Sequence, residues 1–332
     1  MNRNRTKGML FLILVGLTCL CTSCGEKEEA WSSQIKDKPD IAVITKSTDS
    51  NFWKAVQRGV NTAASEYNLN VTFEGPTNEE DYQTQNKMIQ EAVKDGIKAI
   101  VVSIIDTNAS VEVIKEAKAA GVYVVIIDSG INMKNIDAEI STNNYDAGSK
   151  VAKAILKNRE EKISVGIVNF DKNTTNGQER EKGFRDWMKK EKRAHILESI
   201  NVESNIESAK QGTKELIKAH PEMNAIATFN EWTTLGVGSA IQELNLSDQI
   251  QVVAFDNNVI SVAMLESGEI DGLIVQNPFA MGYLGIENAY HLIKKQQKTG
   301  NVVYTDAILV NKQNMFDPSV QKILFPLDNE EN

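Results

Sequence analysis

IAVITKSTDSNFWKAVQRGVNTAASEY (41–67) contains one complete unit of the fold. The β-branched run IAVIT (41–45) enters a polar turn, and beyond it Phe52, Val56, Val60 and Ala64 recur every fourth residue. The run predicts a strand covered on both faces, and the spacing predicts a helix with one apolar face. The same rhythm returns at VTF (71–73), AIVVSII (99–105) and VYVVIID (122–128). It resumes at ISVGIVNF (163–170), HILESI (195–200), AIATF (225–229), VVAF (252–255) and LIV (273–275). Helical patterns occupy 177–190, 205–219 and 279–295, the last opened by Pro278, which suits a first helical turn. A final strand, AILVN (307–311), precedes a tail that reads as irregular. Covered strands alternating with helices predict an α/β fold with parallel sheets. Two half-chains with one rhythm predict two similar lobes, and the polar stretch EISTNNYDAG (139–148) reads as the first crossing between them.

The residues that follow the strands carry the chemistry. IAVIT runs into Lys46 and Ser50, AIVVSII into Asp106, and VYVVII into Asp128 and Ser129. AIATF ends at Asn230, VVAF at Asp256 and LIV at Gln276. Ligands of parallel sheets bind outside the carboxyl ends of strands, so two facing lobes would enclose a polar cleft. Helix capping accounts equally well for any one Asp, Asn or Ser in such a place, and Ser50 and Asp106 stand open between the two readings. Gln276 is a poor cap, and Asp256-Asn257-Asn258 holds more polar groups than a cap needs. Phe52 fits the apolar stripe. Its neighbour Trp53 points elsewhere and would be exposed without a ligand or partner, and aromatic faces beside polar groups suit a sugar. Arg180, in GQEREKGF (177–184), is either a surface arginine paired with Glu179 or Glu181 or a donor fork aimed into the cleft.

Several function classes are disfavoured. The 332 residues suggest about two domains, and a net charge of −9 argues against a nucleic-acid partner. No glycine-rich phosphate loop follows the first strand, where KSTDSNFW contains no glycine, and no GxSxG or HExxH occurs. His195, His220 and His291 have no metal-ligand spacing, so neither metal nor cofactor is expected, and no catalytic unit is present. Gly236 and Gly238 fall inside a helical pattern and read as packing features.

The first 39 residues read as a leader and tether. Arg3, Arg5 and Lys7 precede the apolar run MLFLILVGLTCL (9–20), which is too short to span a bilayer and suits a signal peptide. Small Thr22 and Ser23 then lead to Cys24. This order resembles a bacterial lipoprotein signal, which implies lipidation at Cys24 after removal of 1–23; an ordinary signal peptide is the competing reading. Removal takes three basic residues and no acidic ones, so the net charge of −9 would become −12. All three cysteines, at 19, 21 and 24, lie in this region, so no disulfide framework is expected. Residues 24–39 read as a tether and the remainder as a soluble protein.

From about 41 to 315 the chain resembles the bacterial type I periplasmic binding proteins, the ribose- and galactose-binding group. The resemblance rests on KSTDSNFWKAVQRG, STNNYDAG, QEREKGF, FNEWTTLGVGSA, VVAFDNN and MLESGEIDGLIVQNPFAMGY, in that order. It implies two doubly wound parallel-sheet lobes joined by three crossings, with lobe 1 at 40–143 plus 277–303 and lobe 2 at 144–276 plus 304–332. It implies aromatic stacking by Phe52 and Trp53, hydroxyl contacts from Asp128, and polar contacts from Arg180, Asn230, Asp256 and Gln276. Lys46 and Ser50 fall on more variable positions. Ser129 replaces a common arginine, and SNIESAK (204–210) lacks the second-lobe aromatic of many members, for which Trp232 is either a substitute or a core residue. These departures argue against plain ribose, and Lys46 leaves autoinducer-type furanoses open. The implied protein is a monomeric, non-enzymatic binder of a sugar-like ligand. It would be anchored by lipid at the outer face of the cytoplasmic membrane or in the periplasm, and would deliver ligand to an ABC permease. Delivery to a chemoreceptor or histidine kinase is the alternative. A repressor of related fold would carry a DNA-binding helix-turn-helix before residue 40, where the leader stands.

Overall fold

The computed structural model describes residues 40–157, 162–296 and 300–325; Cys24, the leader and the tether lie outside them. The first half is built from β1 (Asp40–Ile44), α1 (Asn51–Glu66), β2 (Asn70–Glu74), α2 (Tyr82–Lys94), β3 (Ala99–Val102), α3 (Val111–Ala119), β4 (Tyr123–Ile127) and β5 (Ala138–Thr142). The second runs α4 (Asn144–Lys157), β6 (Ile163–Asn169), α5 (Thr175–Met188), β7 (Ala194–Asn201), α6 (Ile206–Ala219), β8 (Ala225–Thr228), α7 (Glu231–Leu244), β9 (Gln251–Phe255), α8 (Val259–Ser267) and β10 (Gly272–Val275). There follow α9 (Pro278–Ile293), β11 (Asn301–Thr305), β12 (Ile308–Val310) and α10 (Pro318–Leu324).

The strands form two six-stranded sheets, ordered β11-β5-β4-β3-β1-β2 and β12-β10-β9-β8-β6-β7. Every pairing is parallel except that of β10 with β12. Both faces of each sheet are covered, which is why the strands lack polar alternation. Val101, Val125 and Ile127 face the core under α1 and α9, while Ile100, Val102, Val124 and Ile126 face the core under α2 and α3. The second lobe repeats this arrangement. Val165, Ile167, Val253 and Phe255 face the side of α4 and α5, and Val168, Ile226, Val252 and Ala254 face the side of α6 to α8.

The chain passes between the sheets three times: at Asn143 between β5 and α4, at Gln276–Asn277 between β10 and α9, and at Asp306–Ala307 between β11 and β12. One helix pair in each lobe touches backbone to backbone. A Cβ at Gly148 of α4 would overlap the Arg180 carbonyl of α5, and one at Gly59 of α1 would overlap the Phe279 carbonyl of α9. These close approaches seat α5 on α4 and the start of α9 on the middle of α1, and the starts of α1 and α5 border the cleft.

Two elements arise where the sequence predicts none. β11 is an edge strand whose Val302 and Tyr304 are exposed, so it lacks the buried run that marks the others, and it extends the first sheet to Thr305. The tail is not irregular throughout: Pro318 opens α10, which buries Val320 and Leu324 against the second lobe.

Candidate ligand-binding cleft

The carboxyl ends of the two sheets face one another across a small cavity of about 30 Å³. All the candidate residues but two lie on its wall: Lys46, Ser50, Phe52, Trp53 and Asp128 from the first lobe, Arg180, Asn230 and Asp256 from the second, and Gln276 at a crossing.

Asp128 and Asp256 directly follow β4 and β9, and both adopt the left-handed backbone region, with φ of 56° and 65°. That conformation costs a non-glycine residue about 1–3 kcal/mol, and such strain concentrates at functional sites. Asp128 is held by Ser103 Oγ at 2.9 Å, by Asn176 Nδ2 of the other lobe at 3.1 and 3.2 Å, and by the Lys46 ammonium at 3.6 Å. Asp256 accepts from Gln276 Nε2 at 2.6 Å. Burial pushes its carboxyl up to about 7, against the opposing pull of the Arg180 charge.

Arg180 is 1% exposed and lies on the cavity wall, so it is not a solvated surface arginine. Nε donates to Asn144 Oδ1 at 2.8 Å, Nη1 to the Phe229 carbonyl at 2.7 Å, and Nη2 to Gln276 Oε1 at 2.7 Å. Its guanidinium lies 4.5 Å from the Phe255 ring centre. Burial draws its pKa down, and Asp256, Asp128 and Glu179 oppose that. Gln276 Oε1 also accepts from Thr142 Oγ1 at 2.8 Å, tying two of the three crossings to the Arg180 fork.

Trp53 departs from expectation. It is 2% exposed because its ring meets Phe52 edge-on at 4.9 Å and its Nε1 donates to Glu79 Oε1 at 2.8 Å. Ser50 and Asn230 do both jobs left open for strand-end residues: each caps the helix that follows and each lines the cavity. Asp106 and Ser129 lie off the wall. Asp106 turns back to accept from the amides of Asn108 and Ala109, at 2.9 and 2.8 Å. Ser129 is fully buried at the seam between the lobes, 3.3 Å from Thr175 Oγ1.

The wall also holds Glu79, Phe170, Asn176, Glu231 and Trp232. Trp232 thus faces the cleft. Glu231, the first residue of α7, reaches the first lobe and accepts from the amides of Asn51 at 3.3 Å and Phe52 at 3.1 Å, while Asn258 Nδ2 holds it at 2.8 Å. Phe170 and Asn176 could have been reached by carrying the strand-end rule past β6. For Glu79, in the loop before α2, no sequence signal exists. Among the described residues no group of three His, Cys, Asp or Glu is placed to hold a metal ion.

The arrangement offers acceptors, a planar donor fork and aromatic rings, all aimed at one enclosed volume. Comparison with known proteins agrees with a binding role. A profile described as the periplasmic binding protein domain matches residues 41–297. The D-ribose/D-allose-binding protein of Pseudomonas aeruginosa is 26% identical over 275 residues, covering 80% of this chain and 85% of that protein. A carbohydrate-transporter solute-binding protein of Agrobacterium radiobacter, solved with D-arabinose, superposes with a TM-score of 0.83 at 29% identity, covering 87% of this chain and 99% of that one. An ABC-transporter solute-binding protein of Agrobacterium vitis, solved with D-fucose, does so at 0.82 and 28%, covering 86% and 99%. With the profile spanning both lobes and the cleft between them, the chain belongs to the periplasmic binding protein family, whose members bind solutes and are not enzymes.

Proposed function

We propose that this protein is the extracytoplasmic, lipid-anchored binding subunit of an ABC importer and that it captures a monosaccharide-like ligand by closing its two lobes. The observation that carries this reading is the pair of strained carboxylates, Asp128 and Asp256, presented from opposite lobes beside the Arg180–Gln276 pair. Carboxylates accept from sugar hydroxyls, the guanidinium and amide donate to them, and Phe52, Trp53 and Trp232 offer rings to the C–H face. Relatives of this size bind D-arabinose and D-fucose. A cavity of 30 Å³ has room for about one water, so a sugar enters only when the lobes part. The three crossings, two of them tied through Thr142 and Gln276, are where that movement would turn.

Calorimetric titration with pentoses, hexoses and polyols tests the reading. At least one should bind, and Arg180→Ala should weaken it by about 1.5–3 kcal/mol, or about 10- to 150-fold. An unchanged dissociation constant in a folded variant removes Arg180 from the site. The anchor is tested separately: Cys24→Ser should abolish incorporation of labelled fatty acid in cells, and continued labelling would exclude Cys24 as the acceptor.

A further inference from the structure

The charges on the cavity wall do not balance. Glu79, Asp128, Glu231 and Asp256 face only two cations, Lys46 and Arg180. Lys46 is held at Asp128, and Arg180 stands closest to Asp256 in its electrostatic effect. Glu231 is spent on the first amides of α1, where the helix N-terminus supplies partial positive charge.

Glu79 is the carboxylate left over. It receives a neutral donor, Trp53 Nε1 at 2.8 Å, and Trp232 of the other lobe also favours its ionised form. Lys46, held beside Asp128, is the strongest of the groups that favour its ionised form, and it serves both carboxylates at once. Desolvation raises the Glu79 carboxyl above its ordinary range despite these groups. A neutral hydroxyl would add one more dipole, whereas an ammonium would give this half-buried carboxylate a charge-assisted bond, roughly twice as strong as a neutral one. Both indoles turn their N–H edges to this carboxyl, and its remaining lone pairs are open to a further donor. The protein already seats cations against rings in this region: Lys46 Nζ lies 5.5 Å from the Phe170 ring centre and the Arg180 guanidinium 4.5 Å from that of Phe255.

We infer that Glu79, flanked by Trp53 and Trp232, is a specificity-determining residue that recognises a protonated amine, so that the preferred ligand class is an amino sugar. This rests on the reading of the cleft as a monosaccharide site and narrows it.

The test titrates the full chain at neutral pH with glucosamine, galactosamine and mannosamine, each against its neutral parent hexose. At least one amino sugar should bind ten-fold or more tightly than its parent. Glu79→Gln should remove most of that preference, weakening the amino sugar about ten-fold while changing the parent less than three-fold. Glu79→Asp, which keeps the charge, should retain part of it. Should Glu79→Gln fail to fold, the paired comparison in the unaltered chain decides alone. Neutral hexoses or pentoses that bind as well as or better than the amino sugars overturn this inference and leave the sugar-binding reading standing, as does an equal loss of both ligands in Glu79→Gln. Binding of no sugar, amino or neutral, overturns both.

Discussion

Asp256 combines three features that rarely coincide: a left-handed backbone, full burial and a carboxyl pushed up to about 7. The unfolded carboxyl titrates near about 3.9, so between roughly pH 4 and 7 the folded chain holds a proton that the unfolded chain has lost. Stability from this group is therefore fully present below about pH 4 and is lost as pH rises through about 7, by on the order of 4 kcal/mol in all. Asn in its place accepts the left-handed backbone and still receives the Gln276 donor, but does not titrate. Ligand-free Asp256→Asn should melt progressively higher relative to the natural chain as pH is raised from 4 to 8. Parallel melting profiles would mean that the carboxyl is not desolvated in solution. The strand-end rule located this residue but not its state. Asp106 and Asp128 look alike in sequence, each following a buried run. One folds back on its own loop and the other is turned into the cleft by a backbone angle that no local pattern announces.

Among elements, the proposed closure is tested at the contact between the starts of α1 and α7, which joins the two lobes. Glu231 caps α1 from the opposite lobe, so this N-terminus has its charge-assisted partner only when the lobes meet. Glu231→Gln keeps the shape, removes the charge and turns an amide toward the donors. It should weaken every ligand by about 1–2 kcal/mol, or roughly 5- to 30-fold, and leave the ratios between ligands unchanged. A ligand-selective effect in parallel titrations would place Glu231 on the ligand instead. No sequence signal pointed to this contact, because donor and acceptor are about 180 residues apart. The helices and covered strands were legible because their burial is periodic and local. β11 was not, since its exposed Val302 and Tyr304 break the pattern and its place depends on pairing with the distant β5. Arg180 stood between two readings for a similar reason: its guanidinium is held by Asn144, Phe229 and Gln276, all distant in sequence.

For the whole molecule, the question is what holds the lobes together before a ligand arrives. Among the described residues, the seam bonds besides those of Glu231 and Asp128 include Gly130 N to Thr175 Oγ1 at 2.6 Å, Ser129 Oγ with Thr175 Oγ1 at 3.3 Å, Ser204 N to Glu80 Oε1 at 2.6 Å, and Thr107 N to the Asn173 carbonyl at 3.1 Å. Each exchanges with water when the lobes part, so each contributes only about 0.5–1.5 kcal/mol. Against them stand the desolvation of Glu79, Glu80 and Asp171, whose carboxyls burial pushes upward. In the closure proposed above, a ligand that touches both lobes would add to the seam by its differential affinity for the closed form. The radius of gyration in solution scattering should fall when the cleft is saturated with a ligand that binds by calorimetry. Glu231→Gln, lacking the cap on α1, should need more of that ligand to reach the same compact value. A radius that stays constant through saturation would mean that the lobes do not swing, and the cavity would then have to admit its ligand by side-chain movement alone.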